Sequence, residues 1–377
     1  MLAAYPLHAF FAPLYYTDVG ALAALLLCYL LLLRQRSRTA ALAAAAAVAF
    51  RQTNAVWVAF LLGAALLREA SRQPGRIRNQ HGAGGGASAS GPSLAGELRS
   101  ALAALWERRA QLAADYGPLA AVPVAFAVFV VLNGGVAVGD RTAHAPVVHA
   151  MQLQYCALWV AGAASLLLVG SGQLRRWAQA AAAPGALAAL SVAAGVAAAS
   201  MQRGTLAHPY LLSDNRHYTF YMWRRLLDSS LPWRWCLLPC YTAAWALLGR
   251  ALLQKQTQLW CAGLALCAAA TLVPAGLLEL RCGSLPAGGG GGCGGWRAAC
   301  ASSVSLLTGE LTGRRWGRAC RYFTVPFVLV VLHLPTPPRW AVLATTAAYL
   351  ALDAATWWVF MRRPFAWGDG STARFMW

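Results

Sequence analysis

The sequence predicts an all-α polytopic membrane protein, and its composition is the first reason. Of its 377 residues, 59% are hydrophobic and only 11% are charged, and the mean hydropathy is positive. Soluble domains are typically about 45–50% apolar and about 25% charged. A soluble chain of this length cannot bury so much apolar surface in one or two cores. Soluble enzymes, disordered tails and disulfide-rich secreted scaffolds are therefore excluded.

Hydrophobic runs close to membrane-spanning length are the second reason. A hydrocarbon core about 30 Å thick needs about 20 apolar residues per helix. Runs near that length cover residues 116–138, 151–169, 183–201, 233–249, 258–278 and 340–361. Shorter runs cover residues 21–33, 40–50, 55–67 and 322–333. We predict one helical bundle over residues 1–377 with about eight to ten membrane segments, some of them short or broken.

The basic residues predict an orientation in the membrane rather than a nucleic-acid partner. The net charge is +19, but the arginines sit between apolar runs and form no continuous basic stripe. Short basic loops favour the cytoplasmic side. The loops assigned to that side are 34–38, 175–176 and 250–255, which places 139–150, 202–231 and 279–321 in the lumen.

Two stretches resemble insertions into the bundle. Residues 71–100 are rich in Gly, Ser and Arg, and we predict a flexible cytoplasmic loop there. Residues 282–320 are rich in Gly and Cys, and we predict a luminal loop. The cysteines lack paired C-x-x-C spacing, and neither an H-E-x-x-H nor an Asp-x-Asp motif occurs. We therefore predict no metal and no cofactor.

The densest cluster of polar side chains lies in the luminal stretch 208–221. Arg216 can hold a phosphate through its planar guanidinium, and His208 or His217 can add a second donor. Asp214 supplies a carboxylate. The alternative is an interfacial belt of aromatic residues with one local Asp–Arg pair, and composition alone does not decide between them.

Three further polar positions flank apolar runs. Arg51 and Asn54 fall between two short runs, where Arg51 is costly unless it faces a cavity or reaches the membrane surface. Asp18 is a second candidate carboxylate, or a helix cap. Glu279 follows the run 258–278 and is either a base or phosphate-site organiser, or an interfacial acid paired with a nearby arginine.

Several motifs together resemble one known family. They are, in chain order, Tyr15-Tyr16-Thr17-Asp18-Val19-Gly20, Phe50-Arg51-Gln52-Thr53-Asn54, His208-Pro209-Tyr210-Leu211-Leu212, Asp214-Asn215-Arg216-His217-Tyr218-Thr219-Phe220-Tyr221, Leu277-Leu278-Glu279 with Arg321-Tyr322-Phe323, and Arg374-Phe375-Met376-Trp377. This ordered set resembles the dolichyl-phosphoglucose α-1,2-glucosyltransferases of the endoplasmic reticulum. That family has the class C glycosyltransferase architecture.

The resemblance implies a reaction and a location. Such enzymes are multi-pass proteins of the endoplasmic reticulum membrane. They move glucose from dolichyl phosphate glucose to the diglucosylated dolichyl-diphosphate oligosaccharide, with inversion at the sugar. A carboxylate takes the proton from the acceptor hydroxyl, and cationic groups stabilise the departing dolichyl phosphate.

The motif positions assign expected roles to this chain. Asp214 and Asp18 are the candidate catalytic acids. The expected donor-phosphate ligands are Arg216, His217, Arg51 and His208, and the expected substrate-binding residues are Asn215, Tyr218, Glu279 and Asn54. The expected partners are therefore the two dolichol-linked substrates and membrane lipid.

Two departures from the family pattern modify this expectation. The family begins with a membrane helix and a luminal loop with an Asp-Glu pair, whose acid commonly acts as the base. This chain opens after that loop, so we expect an N-terminally truncated member. The family's Leu-Glu-x-Arg-Tyr stretch is also interrupted here by residues 282–320.

Two alternatives remain open from the sequence. One is a transferase of the same architecture that uses dolichyl phosphate mannose. The other is a non-catalytic multi-span protein, such as a transporter, although that class typically contains internal repeats.

Overall fold

A computed structural model of the protein shows an almost entirely helical chain. It describes residues 1–14, 16–72, 93–135, 149–181, 184–204, 218–222, 225, 227, 232–273, 322–366 and 372–377. The helices of these residues are α1 (Pro6–Phe11), α2 (Thr17–Leu33), α3 (Ser37–Phe50), α4 (Asn54–Ser71), α5 (Leu94–Glu107), α6 (Arg109–Asn133), α7 (Met151–Ala163), α8 (Ser165–Gly170), α9 (Gln173–Ala181), α10 (Pro184–Gly204), α11 (Tyr218–Met222), α12 (Leu238–Leu253), α13 (Gln258–Leu272), α14 (Thr324–His333) and α15 (Arg339–Arg362).

Short elements complete the described part of the chain. Two 3₁₀ turns cover Leu2–Ala4 and Pro232–Leu237. An antiparallel pair of strands, β1 (Phe365–Ala366) and β2 (Thr372–Ala373), lies near the C-terminus.

Nine apolar helices of the described residues confirm the predicted multi-span bundle. Five are long and apolar enough to cross a membrane, and these segments are Asn54–Ser71, Arg109–Asn133, Gly185–Gln202, Arg234–Leu253 and Arg339–Arg362. Four are shorter, and these are Thr17–Leu33, Ser37–Phe50, Gln258–Leu272 and Thr324–His333. Many of their leucine and valine side chains remain exposed, as expected where lipid surrounds a protein.

Polar contacts bring the predicted cytoplasmic loops together at one end of the bundle. Arg176 Nη1 donates to Gln254 Oε1 at 2.9 Å. Lys255 Nζ donates to Thr336 Oγ1 at 3.1 Å, in the connection between α14 and α15. We call this end the basic end. Because α2 and α3 pack as an antiparallel pair, Arg34 lies at one end of that pair and Asp18 with Arg51 at the other. We call the latter the Asp18 end.

The short apolar runs 40–50 and 55–67 lie in regular helices and not in broken ones. α3 and α4 are regular helices joined by a three-residue turn, and α4 is long enough to span a membrane. The apolar run 55–67 is shorter than α4 because the helix continues through the charged residues Arg68 and Glu69. The Glu69 carboxylate accepts hydrogen bonds from Arg72 at 2.6 Å and Arg108 at 3.4 Å, which balances its buried charge. The predicted segment 151–169 also breaks, at Ala164 between α7 and α8.

The loop predicted over residues 71–100 needs a correction at its C-terminal part. α5 begins at Leu94, and Ser93 Oγ caps it by accepting from Gly96 N at 3.2 Å. Glu97 in turn accepts from the backbone N of Leu259 at 2.9 Å and so caps the N-terminus of α13. Residues 73–92 and 282–320 lie outside the described part, so the rest of both insert predictions stays a prediction.

Asp353 gives a prediction about stability. It lies in α15 with only 9% of its surface exposed, and among the described residues its Oδ1 has no hydrogen-bond partner. A buried carboxylate oxygen without a hydrogen-bond partner is costly. We expect Asp353→Asn to raise the free energy of unfolding by about 1–3 kcal/mol, measured by thermal unfolding in detergent.

Glu69→Gln is the matched control, because this carboxylate is also buried but has two arginine partners. The change from acid to amide at Glu69 should lower the free energy of unfolding of the protein by about 1–3 kcal/mol. Destabilisation of similar size in both variants would contradict the interpretation of Asp353.

Candidate active site

An ion pair between Asp18 and Arg51 lies at the Asp18 end. Asp18 is in the first turn of α2, where the helix dipole favours a carboxylate. Arg51 ends α3 in an extended conformation (φ −150°, ψ 120°), so the chain turns there. The side chains are 17% and 19% exposed, respectively, and Arg51 Nη1 contacts Asp18 Oδ1. Two residues predicted for different roles are therefore partners.

Close packing of α2 against α3 supports this contact. Gly20 lies two residues after Asp18, and a Cβ atom at Gly20 would stand 3.0 Å from the ring of Phe50. The absent side chain lets the two helices approach each other next to the pair. The sequence thus brings the pair together through a small residue on one helix and an aromatic residue on the other.

A small pocket surrounds the Arg51 side chain. The Arg51 guanidinium lies 4.8 Å from the centroid of the Tyr322 ring, a cation–π contact. The pocket has a volume of about 30 Å³, and His8 and Trp57 also line it. Burial lowers the pKa of His8, which favours the neutral imidazole at neutral pH. The pocket therefore combines a paired guanidinium, an aromatic face and a neutral imidazole.

His8 and Trp57 were not predicted as site residues. His8 lies in the short apolar helix α1, where a single histidine carries no recognisable pattern. Trp57 belongs to an apolar helix with ordinary spacing. Tyr322 belongs to one of the quoted motifs, but its contact with Arg51 depends on the placement of the residues before α14, which are remote in the sequence. Only the three-dimensional packing reveals these neighbours.

Asn54 has a structural contact. Its side chain is 3% exposed, and Nδ2 donates to Ala47 O at 2.9 Å. Its backbone N also donates to Arg51 O at 2.9 Å. The side chain thereby fixes the turn between α3 and α4 and, with it, the position of Arg51. Its predicted contact with substrate stays a prediction.

Tyr218 pairs with the C-terminal residues. Its backbone N donates to Met376 O at 3.1 Å. Its ring centroid lies 6.4 Å from that of Phe375 and 5.1 Å from that of Trp377. The Tyr218 hydroxyl is buried and has no hydrogen-bond partner among the described residues. The motif Arg374–Trp377 therefore holds the end of the polar stretch 208–221.

A chain of aromatic contacts connects Tyr218 with the segment that lines the pocket. Trp377 contacts the ring of Trp159 at a centroid distance of 6.0 Å. Trp159 Nε1 donates to the Tyr5 hydroxyl at 2.5 Å, and Tyr5 immediately precedes α1 with its pocket residue His8. Tyr218 and the Asp18–Arg51 pair thus lie at the same end of the bundle.

Six of the predicted site residues lie outside the described part of the chain. They are His208, Asp214, Asn215, Arg216, His217 and Glu279. Their roles stay predictions.

The arrangement at Arg51 suits an anion at the mouth of the pocket. A guanidinium presents several N–H donors in one plane, a geometry that matches the oxygens of a phosphate. The exposed fraction of Arg51 shows that the side chain is reachable. Asp18 restricts the guanidinium to one orientation, which lowers the entropy cost of binding.

The fold and the site define a multi-span helical membrane protein with an arginine-centred pocket at one end of its bundle. Residues 1–286 match the sequence model of the DIE2/ALG10 family. The chain belongs to that family.

Three relatives, from one plant and two animals, share the name Dol-P-Glc:Glc(2)Man(9)GlcNAc(2)-PP-Dol alpha-1,2-glucosyltransferase. The Arabidopsis thaliana protein is 26% identical over 427 residues, which cover 100% of this chain and 74% of the relative. The Rattus norvegicus protein is 28% identical over 389 residues, covering 100% and 71%. The Drosophila melanogaster protein is 29% identical over 380 residues, covering 99% and 73%. No solved structure matches the chain.

Proposed function

We propose that this protein transfers glucose from dolichyl phosphate glucose to the diglucosylated dolichyl-diphosphate oligosaccharide, forming an α-1,2 linkage. The observation that carries the proposal is the similarity along the whole chain to relatives named for this reaction. Membership of the DIE2/ALG10 family agrees with it. The multi-span architecture supplies the membrane setting that two lipid-linked substrates require.

Arg51 binds the donor phosphate in this proposal. When the acceptor hydroxyl attacks the sugar carbon, the bond to the phosphate oxygen breaks and negative charge accumulates on dolichyl phosphate. Arginine donors already in place stabilise that charge without reorganisation. Arg216, His217 and His208 are proposed to supply further donors. Tyr218, Asn54, Asn215 and Glu279 are proposed to contact the substrates.

Asp18 acts as a positioning residue rather than as the base. Its carboxylate is engaged by Arg51, so it orients the guanidinium. A carboxylate must still accept the proton of the attacking hydroxyl. Among the motif residues we assign this duty to Asp214.

The charge distribution supports a luminal position for the site. The basic end carries the loops 175–176 and 250–255. A 2.9 Å hydrogen bond between the Tyr29 hydroxyl and His333 Nε2 places the end of α2, and with it the loop 34–38, at the same end. The positive-inside rule places such loops in the cytoplasm. The Asp18 end then faces the lumen of the endoplasmic reticulum. The donor and the acceptor would meet there.

Complementation tests the proposed reaction. In cells that lack the native enzyme, the diglucosylated precursor accumulates. Expression of this protein should convert that precursor to the triglucosylated form, detected by separating the released oligosaccharides. Persistence of the diglucosylated species, with the protein demonstrably inserted in the membrane, would reject the proposal.

A further inference from the structure

Arg234 is an arginine with unpartnered donors among the described residues. It lies in the 3₁₀ turn Pro232–Leu237, which leads into α12 at the Asp18 end. Its Nε and Nη1 atoms are buried and have no hydrogen-bond partner within the described residues. Buried donors of a charged group are costly when unpaired and normally meet an anion or ordered water. This guanidinium therefore requires an acceptor.

The surroundings of Arg234 are aromatic and apolar. Its guanidinium carbon lies 5.4 Å from the centroid of the Trp235 ring. Tyr155 is close enough for the charge of Arg234 to act on its hydroxyl group, and the Tyr155 and Tyr241 rings lie 6.1 Å apart. No ion pair links Arg234 with a carboxylate in the part of the chain that the structure describes. The positive charge of the Arg234 guanidinium can therefore be balanced by a bound anion.

This group is separate from the Arg51 pocket. Tyr241 belongs to a small cluster of α7, α10 and α12, with Met151, Ala197 and Met201. The Arg51 pocket is instead formed by α1, α2, α4 and the residues around Tyr322. Tyr155 packs against both the small cluster and the main core. Arg51 and Arg234 therefore lie in two separate groups of side chains at the same end of the bundle.

We propose that Arg234 binds the phosphate ester of a polyisoprenyl lipid at a second anion site. The inference rests on the proposed function, because that reaction brings together two lipid-linked phosphates, the donor monophosphate and the acceptor diphosphate. Arg51 already has the negative charge of Asp18 beside it. Arg234 lacks such a partner among the described residues, so its full charge can meet phosphate oxygens. The Trp235 ring and the apolar cluster fit the isoprenyl chain.

Binding of soluble lipid analogues tests the site without requiring turnover. Farnesyl phosphate and farnesyl diphosphate are titrated into the purified protein in detergent, and Kd is measured by calorimetry. Arg234→Gln should raise the Kd of at least one probe about 10- to 100-fold, as expected for a lost charge-assisted contact. Arg234→Lys should give a smaller loss, because it keeps the charge but not the planar fork. Arg363→Gln is the matched control, since Arg363 lies over a tryptophan ring at the same end but is exposed.

The two probes distinguish the two sources of phosphate. A loss confined to the diphosphate assigns Arg234 to the acceptor, and a loss confined to the monophosphate assigns it to the donor. Unchanged Kd values for both probes in Arg234→Gln would overturn the proposal. Gel filtration and the unfolding temperature without ligand show whether each variant is folded, and Arg234→Lys provides the test if Arg234→Gln is not.

The transfer assay separates this inference from the proposed function. If the wild-type protein transfers no glucose but Arg234→Gln still weakens probe binding, the proposed anion site is supported and the proposed reaction is rejected. If transfer is intact and Arg234→Gln binds both probes normally, the reaction stands and the anion site is wrong.

Discussion

Replacing Arg51 with glutamine should reduce glucosyl transfer about 100-fold or more, as is typical when one donor to a developing negative charge is removed. Arg51 contacts Asp18 and the Tyr322 ring at the mouth of the pocket, so its guanidinium is already oriented before the charge develops. Initial rates of glucose transfer in membranes, normalised to the amount of inserted protein, measure the effect.

A double variant separates the chemical role of Arg51 from a structural one. Arg51→Gln alone leaves Asp18 as a mostly buried carboxylate without this partner, which is itself destabilising. Asp18→Asn with Arg51→Gln removes both charges, so thermal stability should recover toward the wild-type value while transfer stays low. Recovery of transfer in the double variant would show that the pair only holds α2 against α3.

Arg216→Ala should abolish transfer while the protein remains inserted and folded. In the proposed mechanism Arg216 contacts the phosphate, and such a contact serves the reaction rather than the packing of helices. Arg216→Lys should also be poor, because an ammonium group cannot form the planar bidentate contact. Transfer rates and the thermal midpoint are measured on the same preparations.

Arg225→Ala is the matched control for Arg216. Arg225 lies on the same connection between α10 and α12 and is exposed. Its loss should leave transfer close to that of the wild type. Wild-type turnover in Arg216→Ala would remove Arg216 from the site, and equal losses in both variants would point to general damage to this connection.

The fold class could be predicted because it depends on composition and on runs of apolar residues, which are local properties. The first and last residues of individual helices were harder to predict from the sequence. α4 extends past its apolar run because Glu69 finds Arg72 and Arg108, and one of these partners belongs to another part of the chain. α5 begins within a predicted loop because Ser93 caps it and Glu97 contacts α13. Both features depend on tertiary contacts.

Several residues of the site could be identified from the sequence, but their contacts with one another could not. Asp18 and Arg51 were singled out because charged residues beside apolar runs need an explanation. That they pair with each other follows from the packing of Gly20 against Phe50. His8 and Arg234 gave no signal, because one histidine in an apolar stretch and one arginine before a helix are ordinary in sequence. They stand out only in the structure, where His8 lines the pocket and two buried donors of Arg234 have no hydrogen-bond partner among the described residues.

The most direct test of the central claim is transfer by the purified protein in proteoliposomes that contain the diglucosylated acceptor. Dolichyl phosphate glucose and dolichyl phosphate mannose are offered in separate reactions, and the products are analysed for composition and linkage. The account predicts addition of a single α-1,2-linked glucose from the first donor and no transfer from the second. Transfer of mannose, or no product from either donor by folded protein, would contradict it.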